Sequence, residues 1–191
     1  MHNTKHTQTV VFVVLTLVAS GCGEDFAISG QTVGLVELVR PGVTVSLEGT
    51  KRFVLEDTRL IRDMRVSVDE TGRAVLQMDN GARIVLDAGS DVSVGSMDAL
   101  TVKAGRLWLE AGEGEEVTLA IEDGGTLRAA SAAASVVVDE GRIEAYSASG
   151  ELTYDLPGGS GLVREGEILT AGGDEAVVQP AELWTDWTGG L

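Results

Sequence analysis

Few side chains in this chain can act as nucleophiles, general bases or metal ligands. Its 191 residues include one cysteine, Cys22, and two histidines, His2 and His6, all close to the N-terminus. Serine–histidine and cysteine–histidine catalysis, and zinc sites made of histidine or several thiolates, need more of these residues than the chain provides. The sequence therefore predicts a protein that is not an enzyme and that uses no metal or cofactor.

Carboxylates are the abundant reactive group, with 30 Asp and Glu residues against 14 Lys and Arg and a net charge of −16. The run from Glu113 to Glu116 can supply calcium ligands, but a specific site needs ligands from several fixed positions. Paired carboxylates would permit glycoside hydrolysis, yet no pair stands out, and the low aromatic content argues against a sugar-stacking cleft. Because an acidic surface repels phosphate, we expect neither a nucleic-acid partner nor a basic membrane-binding face.

Residues 1–21 have the parts of a secretory signal. Lys5 lies in a polar start, an apolar run follows from Val10 to Val18, and the small residues 19–21 (Ala-Ser-Gly) come last. The apolar run is too short to cross a bilayer core of about 30 Å as a helix. Cys22 comes next, and this stretch resembles a bacterial lipobox. The resemblance implies a lipoprotein signal peptide over 1–21 and lipidation of Cys22.

A lipidated Cys22 would anchor the protein to the bacterial cell envelope, since several acyl chains hold a protein stably in a bilayer. Gly23 follows the cysteine, where an aspartate would favour inner-membrane retention in lipoproteins, so we expect the outer membrane. The alternative is an ordinary signal that leaves Cys22 as a free thiol. Residues 22–191 carry 13 basic and 30 acidic side chains, a net charge of −17.

The rest of the chain divides into a tether over 22–32, a domain over 33–178 and a tail over 179–191. The domain is a series of short runs in which apolar and polar residues alternate, as in 65–68 and 91–94, and this period of two is typical of strands. Glycine turns separate the runs, and Asn80-Gly81 predicts the clearest hairpin. We therefore predict one all-β domain of short antiparallel strands, a β-sandwich or β-roll.

Two further patterns bear on this prediction. Residues 129–134 are the one helix-prone piece of the domain. Four glycines (Gly81, Gly105, Gly141 and Gly166) each precede a charged residue and an apolar run. Their spacing fits either a stacked β-roll or the repeated use of one hairpin turn, and the unequal intervals favour the second.

The tail contains Trp184 and Trp187, three residues apart. One interpretation is a segment that caps an open end of the sheet. The other is a docking surface for another domain or chain, because aromatic side chains dominate interfaces. Both tryptophans are therefore candidate binding residues.

The segments 71–86 and 90–94, followed by 100–107, 140–143 and 164–167, resemble the FecR domain. The resemblance covers most of residues 33–170 and rests on a strand, an Asp-Asn-Gly turn, a paired strand and a corner that contains Ser90. It implies an all-β binding module in the bacterial envelope.

Full-length FecR-like proteins place a cytoplasmic anti-sigma segment and a membrane helix ahead of this domain, which relays occupancy of an outer-membrane receptor. Here the leader and Cys22 stand in that place, so the resemblance implies a lipoprotein form that lacks the anti-sigma segment. We therefore do not expect this chain to bind a sigma factor directly.

The sequence leaves four hypotheses for function. The first is a lipid-anchored module that binds another envelope protein or polymer without catalysis. The others are an accessory sensor that feeds a separate regulator, a hydrolase that uses two carboxylates, and an assembly protein whose open edges add strands from partners.

Overall fold

The computed structural model describes residues 30–122, 124–182 and 187, and all of its regular structure is β. The fifteen strands are β1 (Thr32–Arg40), β2 (Val43–Leu47), β3 (Thr50–Phe53), β4 (Thr58–Ile61), β5 (Arg65–Val68), β6 (Arg73–Met78), β7 (Arg83–Leu86), β8 (Asp91–Ser96), β9 (Ala99–Glu110), β10 (Glu116–Ile121), β11 (Thr126–Asp139), β12 (Arg142–Leu156), β13 (Gly159–Arg164), β14 (Glu167–Gly172) and β15 (Glu175–Pro180). The prediction of a single all-β domain is confirmed. The helix-prone piece 129–134 lies within β11, and among the described residues no helix is long and apolar enough to span a membrane.

Three strands are longer than the alternation predicts: β9, β11 and β12 have 12, 14 and 15 residues. Each changes partners along its length. The first half of β9 pairs with β8 and β10, and its second half pairs with β7 and β11. The three strands bend where Gly105, Ser131 and Gly150 take φ values of 113°, 49° and 69°. The β9–β10 pair is parallel, a departure from the antiparallel prediction.

The long strands thereby divide the sheet into two parts, which we call layer A and layer B. Layer A runs β4-β1-β6-β7-β9-β11-β12-β14-β15, using the second halves of β9 and β11 and the first half of β12. Layer B runs β3-β2-β5-β8-β9-β10-β11-β12-β13, using the other halves. Leu76 and Ile84 of layer A share one buried cluster with Val66 and Val92 of layer B. The layers therefore pack face to face as in a sandwich.

The recurring glycines mark two kinds of feature. Gly81 and Gly141 lie in the hairpin turns β6–β7 and β11–β12, as the sequence predicts. Asn80 closes the first turn, since its side-chain oxygen accepts a hydrogen bond from the Ala82 N–H at 3.1 Å. Gly105 and Gly166 instead lie where the chain passes between the layers. The glycine pattern thus follows turns and bends rather than one repeated unit.

The lipobox, Cys22, most of the tether and Trp184 lie outside the described residues. The predictions made for them remain predictions.

Candidate functional site

The outer face of layer A carries a row of side chains set by strand register. Val75 pairs with Val85, Val85 with Trp108, and Trp108 with Ser135, so these four residues lie side by side on one face. Val75 and Val85 are only 1% and 0% exposed and lie outside the core cluster. The outer face of layer A is therefore covered at Val75 and Val85, whereas Trp108 is partly exposed.

A group of charged side chains borders this row. Arg73 begins β6, Asp87 follows β7, and Arg106 lies in β9 directly after the bend at Gly105. Asp87 forms ion pairs with both guanidinium groups, at 3.1 Å to Arg73 and 3.3 Å to Arg106. The Arg73 and Asp87 side chains are only 11% and 15% exposed. One carboxylate thus orients two cations beside a buried apolar row.

Trp187 of the C-terminal tail lies against these charges. Its ring centroid is 5.0 Å from the Arg106 guanidinium carbon and 5.7 Å from that of Arg73, which are cation–π distances. The indole N–H donates to Ser135 Oγ at 3.0 Å, and Arg73 Nη2 donates to the Trp187 carbonyl at 3.2 Å. We call Arg73, Asp87, Arg106, Ser135 and Trp187 the tryptophan site.

The bend in β9 positions Arg106 in this site. An added Cβ at Gly105 would lie 2.3 Å from the Cα of Ser90, so only glycine fits so close an approach. The Arg106 carbonyl accepts hydrogen bonds from Ser90 Oγ at 3.0 Å and from the Asp87 N–H at 3.0 Å. The serine corner predicted from the sequence therefore fixes the backbone of a site residue.

A second ion pair lies on the outer face of layer B, where Arg65 donates two hydrogen bonds to Asp91 and Ser67 donates a third. Burial raises the pKa of Asp91, but the hydrogen bonds from Arg65 and Ser67 and the charges of Arg65 and Lys103 together hold it below its ordinary value. Asp91 raises the pKa of Arg65 in turn, chiefly through the hydrogen bond between them.

The acidic run at 113–116 forms the turn before β10 and the first residue of that strand. Glu115 turns inward on its own loop, and its carboxylate accepts a hydrogen bond from the Gly112 N–H at 2.7 Å. Within the described part of the chain, no group of three or more His, Cys, Asp or Glu side chains is placed to hold a metal ion.

Sequence reasoning named one member of the tryptophan site, Trp187, and missed the other four. A signal for the site was present in two uninterrupted apolar triplets, at 74–76 in β6 and 84–86 in β7. A strand that is apolar at three successive positions buries both of its faces. Arg73 directly precedes the first triplet and Asp87 directly follows the second, and both belong to the site.

No family model and no curated protein matches this sequence. Two crystal structures, at 1.65 and 2.50 Å resolution, resemble its fold; both are of a Parabacteroides distasonis ATCC 8503 protein provisionally described as an anti-sigma factor. Each match has a TM-score of 0.53, at 12% and 11% sequence identity, and covers 61% of this chain and 59% of that chain. The chain therefore spans less than two thirds of these neighbours, and at this identity the likeness concerns the fold.

Proposed function

We propose that this chain is a lipid-anchored protein of the bacterial envelope whose β domain binds another envelope protein or polymer without catalysing a reaction. The leader and the cysteine at position 22 support the anchor, and Gly23 supports the outer membrane. The FecR resemblance and the fold shared with a described anti-sigma factor support a binding module.

The tryptophan site is the observation that carries this proposal. Its charged groups are engaged in ion pairs and hydrogen bonds around an indole ring. Guanidinium faces and a hydroxyl acceptor are groups that recognise aromatic side chains at interfaces. We propose that a partner segment with an exposed aromatic residue binds at this face, in competition with Trp187.

A second candidate is an accessory component of envelope signal transduction that feeds a separate regulator. The fold likeness to the described anti-sigma factor favours this candidate over the two-carboxylate hydrolase. The binding module and the signalling component would use the same surface, the tryptophan site. They differ in whether the protein bound there is a regulator.

The anchor is tested by the intact mass and membrane partitioning of the native protein beside a Cys22→Ser variant. We expect acyl mass and membrane association in the native protein and the loss of both in the variant. A soluble native protein with an unmodified thiol would refute the anchor.

The binding face is tested by a photo-reactive phenylalanine analogue at Trp108, in the row beside the tryptophan site. The matched control places the same analogue at Ser93, on the outer face of layer B. We expect one discrete crosslinked product in intact cells from position 108 and none from 93. Equal products from both positions, or none from either, would contradict a binding site on layer A.

A further inference from the structure

Basic and acidic side chains are distributed unevenly along the chain. Residues 30–68 carry 6 basic and 5 acidic side chains, whereas residues 69–182 carry 7 basic and 22 acidic ones. The first segment therefore has a net charge of +1 and the second of −15. An anionic partner that is repelled by the molecule as a whole can still be attracted to its least acidic edge.

Four of the six basic residues of the first segment lie on one open edge of the sandwich. Among the described strands, β3 bonds to β2 and β4 to β1, so each has a free side. The two strands and the connection between them form a continuous stretch over 50–62, which we call the open ribbon. It contains four basic and two acidic residues. Lys51, Arg59 and Arg62 are exposed and form no ion pair with a described residue.

The open ribbon also carries the two most exposed large apolar side chains of the described chain. Phe53 is 72% exposed and Leu55 is 85% exposed, although Val54 between them is buried. The opposite edge, formed by β13 and β15 over 159–182, has five acidic residues and one basic residue. The open ribbon is therefore the edge at which exposed apolar side chains lie beside cationic ones.

The tether enters the domain beside this edge. The Arg62 N–H donates to the Gln31 carbonyl at 3.1 Å, directly before β1. Nine residues separate Cys22 from Thr32, and such a length spans at most about 30 Å. A lipid on Cys22 would therefore hold the open ribbon within reach of the bilayer surface.

We infer that the open ribbon is a membrane-docking surface that binds anionic lipid headgroups through Lys51, Arg59 and Arg62 and inserts Phe53 and Leu55 into the interface. Interfacial segments combine these residue types. Each cationic side chain near an anionic surface strengthens binding by a factor of about five. The acidic edge then points away from the membrane. This inference rests on the proposed anchor at Cys22.

The test supplies the anchor chemically. The chain from Cys22 onward, with the Cys22 thiol coupled to a maleimide lipid, is placed on neutral phosphatidylcholine vesicles or on vesicles containing 30% phosphatidylglycerol. Amide hydrogen exchange is followed in peptides covering 50–62 and 173–180. We expect exchange in 50–62 to slow about fivefold or more on the anionic vesicles, to recover at high salt, and to stay unchanged in 173–180.

Two variants sharpen the result. Phe53→Ser combined with Leu55→Ser should remove most of the protection, while Val177→Ser on β15, which is 43% exposed, should leave it intact. Equal exchange on both vesicle types would overturn the inference. So would protection on neutral vesicles that rises with protein density, because it would assign the ribbon to a second copy of the chain. Since the anchor is chemical, neither result depends on whether cells acylate Cys22, which the intact mass tests separately.

Discussion

The outer faces of the two layers differ, although the same three long strands pass through both. On layer B the outward positions hold small polar residues such as Ser67, Ser93 and Thr101, all partly exposed. On layer A the equivalent row contains Val75 and Val85, which are buried, and Ser135, which is 5% exposed. Strand alternation describes most of layer B, and Thr44, which pairs with Ser67 and is 8% exposed, is an exception. Layer A needs a second layer of cover, and part of it comes from Trp187, which is 114 residues beyond Arg73 in the chain.

The largest effect should come from placing a charge on the covered face. Val85→Asp leaves a carboxylate where the side chain is 0% exposed, and we expect a loss of about 3–5 kcal/mol in the free energy of unfolding. The matched change Ser93→Asp on layer B should cost less than about 0.5 kcal/mol. Urea denaturation measures both.

If the Val85→Asp protein does not fold, the near-isosteric Val85→Thr keeps the comparison measurable. It should cost about 1–3 kcal/mol, because it buries a hydroxyl among apolar neighbours. A Val85→Asp protein as stable as the Ser93→Asp protein would mean that both outer faces are open to water.

The next effect tests the bend that joins the two layers. At Gly105, with φ of 113°, an added Cβ meets the Ser90 backbone, and we expect Gly105→Ala to cost about 2–4 kcal/mol. Gly49 also has a positive φ, 81°, but no atom within 4 Å of the added Cβ. Gly49→Ala should therefore cost about 1 kcal/mol, the backbone penalty alone. Equal losses in thermal or urea unfolding would show that the contact with Ser90 is unimportant.

A smaller effect should follow from removing the tail contact on layer A. Trp187→Ala loses the ring, two cation–π contacts and a hydrogen bond at a partly exposed position, and we expect a cost of about 1–3 kcal/mol. Trp187→Phe keeps an aromatic ring but loses the hydrogen bond to Ser135, at a cost of about 1 kcal/mol. Urea curves for the two variants that coincide with that of the native chain would show that the tail does not stabilise the fold.

The all-β class and the Asn80-Gly81 hairpin were predictable because alternation and turn chemistry are local properties of the sequence. The two layers were not, because they depend on where β9, β11 and β12 bend. Gly105 looked like a turn residue, since a positive φ serves a hairpin and a bend equally well. Its role is decided by the close approach of Ser90, which lies 15 positions earlier in the chain.

The tryptophan site was predictable only in part, for the same reason. Trp187 was conspicuous as an aromatic residue in a polar tail. Arg73, Asp87 and Arg106 looked like ordinary solvated charges at strand ends, and Ser135 like one small residue among many. Their roles arise from cross-strand register and from a contact over more than a hundred residues, and no local pattern encodes either. The apolar triplets at 74–76 and 84–86 did indicate a covered face, without indicating what covers it.

The smallest effect concerns the charge pair on the open face of layer B. The pKa of Asp91 is held below its ordinary value of 3.8, so ionised Asp91 stabilises the fold at pH values above about 4. This contribution is lost as the pH falls through the lowered pKa of the folded state, where the carboxylate is protonated in both states. Asp91→Asn should lower the free energy of unfolding at neutral pH and converge with the native chain in strong acid. The Arg65 side chain is 43% exposed, so solvent screening limits the difference to about 1 kcal/mol or less.

Ser67→Ala removes one of the three hydrogen bonds to Asp91 and should give a smaller loss with the same pH dependence. Urea unfolding at a series of pH values measures all three proteins. A difference between Asp91→Asn and the native chain that stays constant down to pH 2 would show that ionised Asp91 contributes nothing to the stability of the fold.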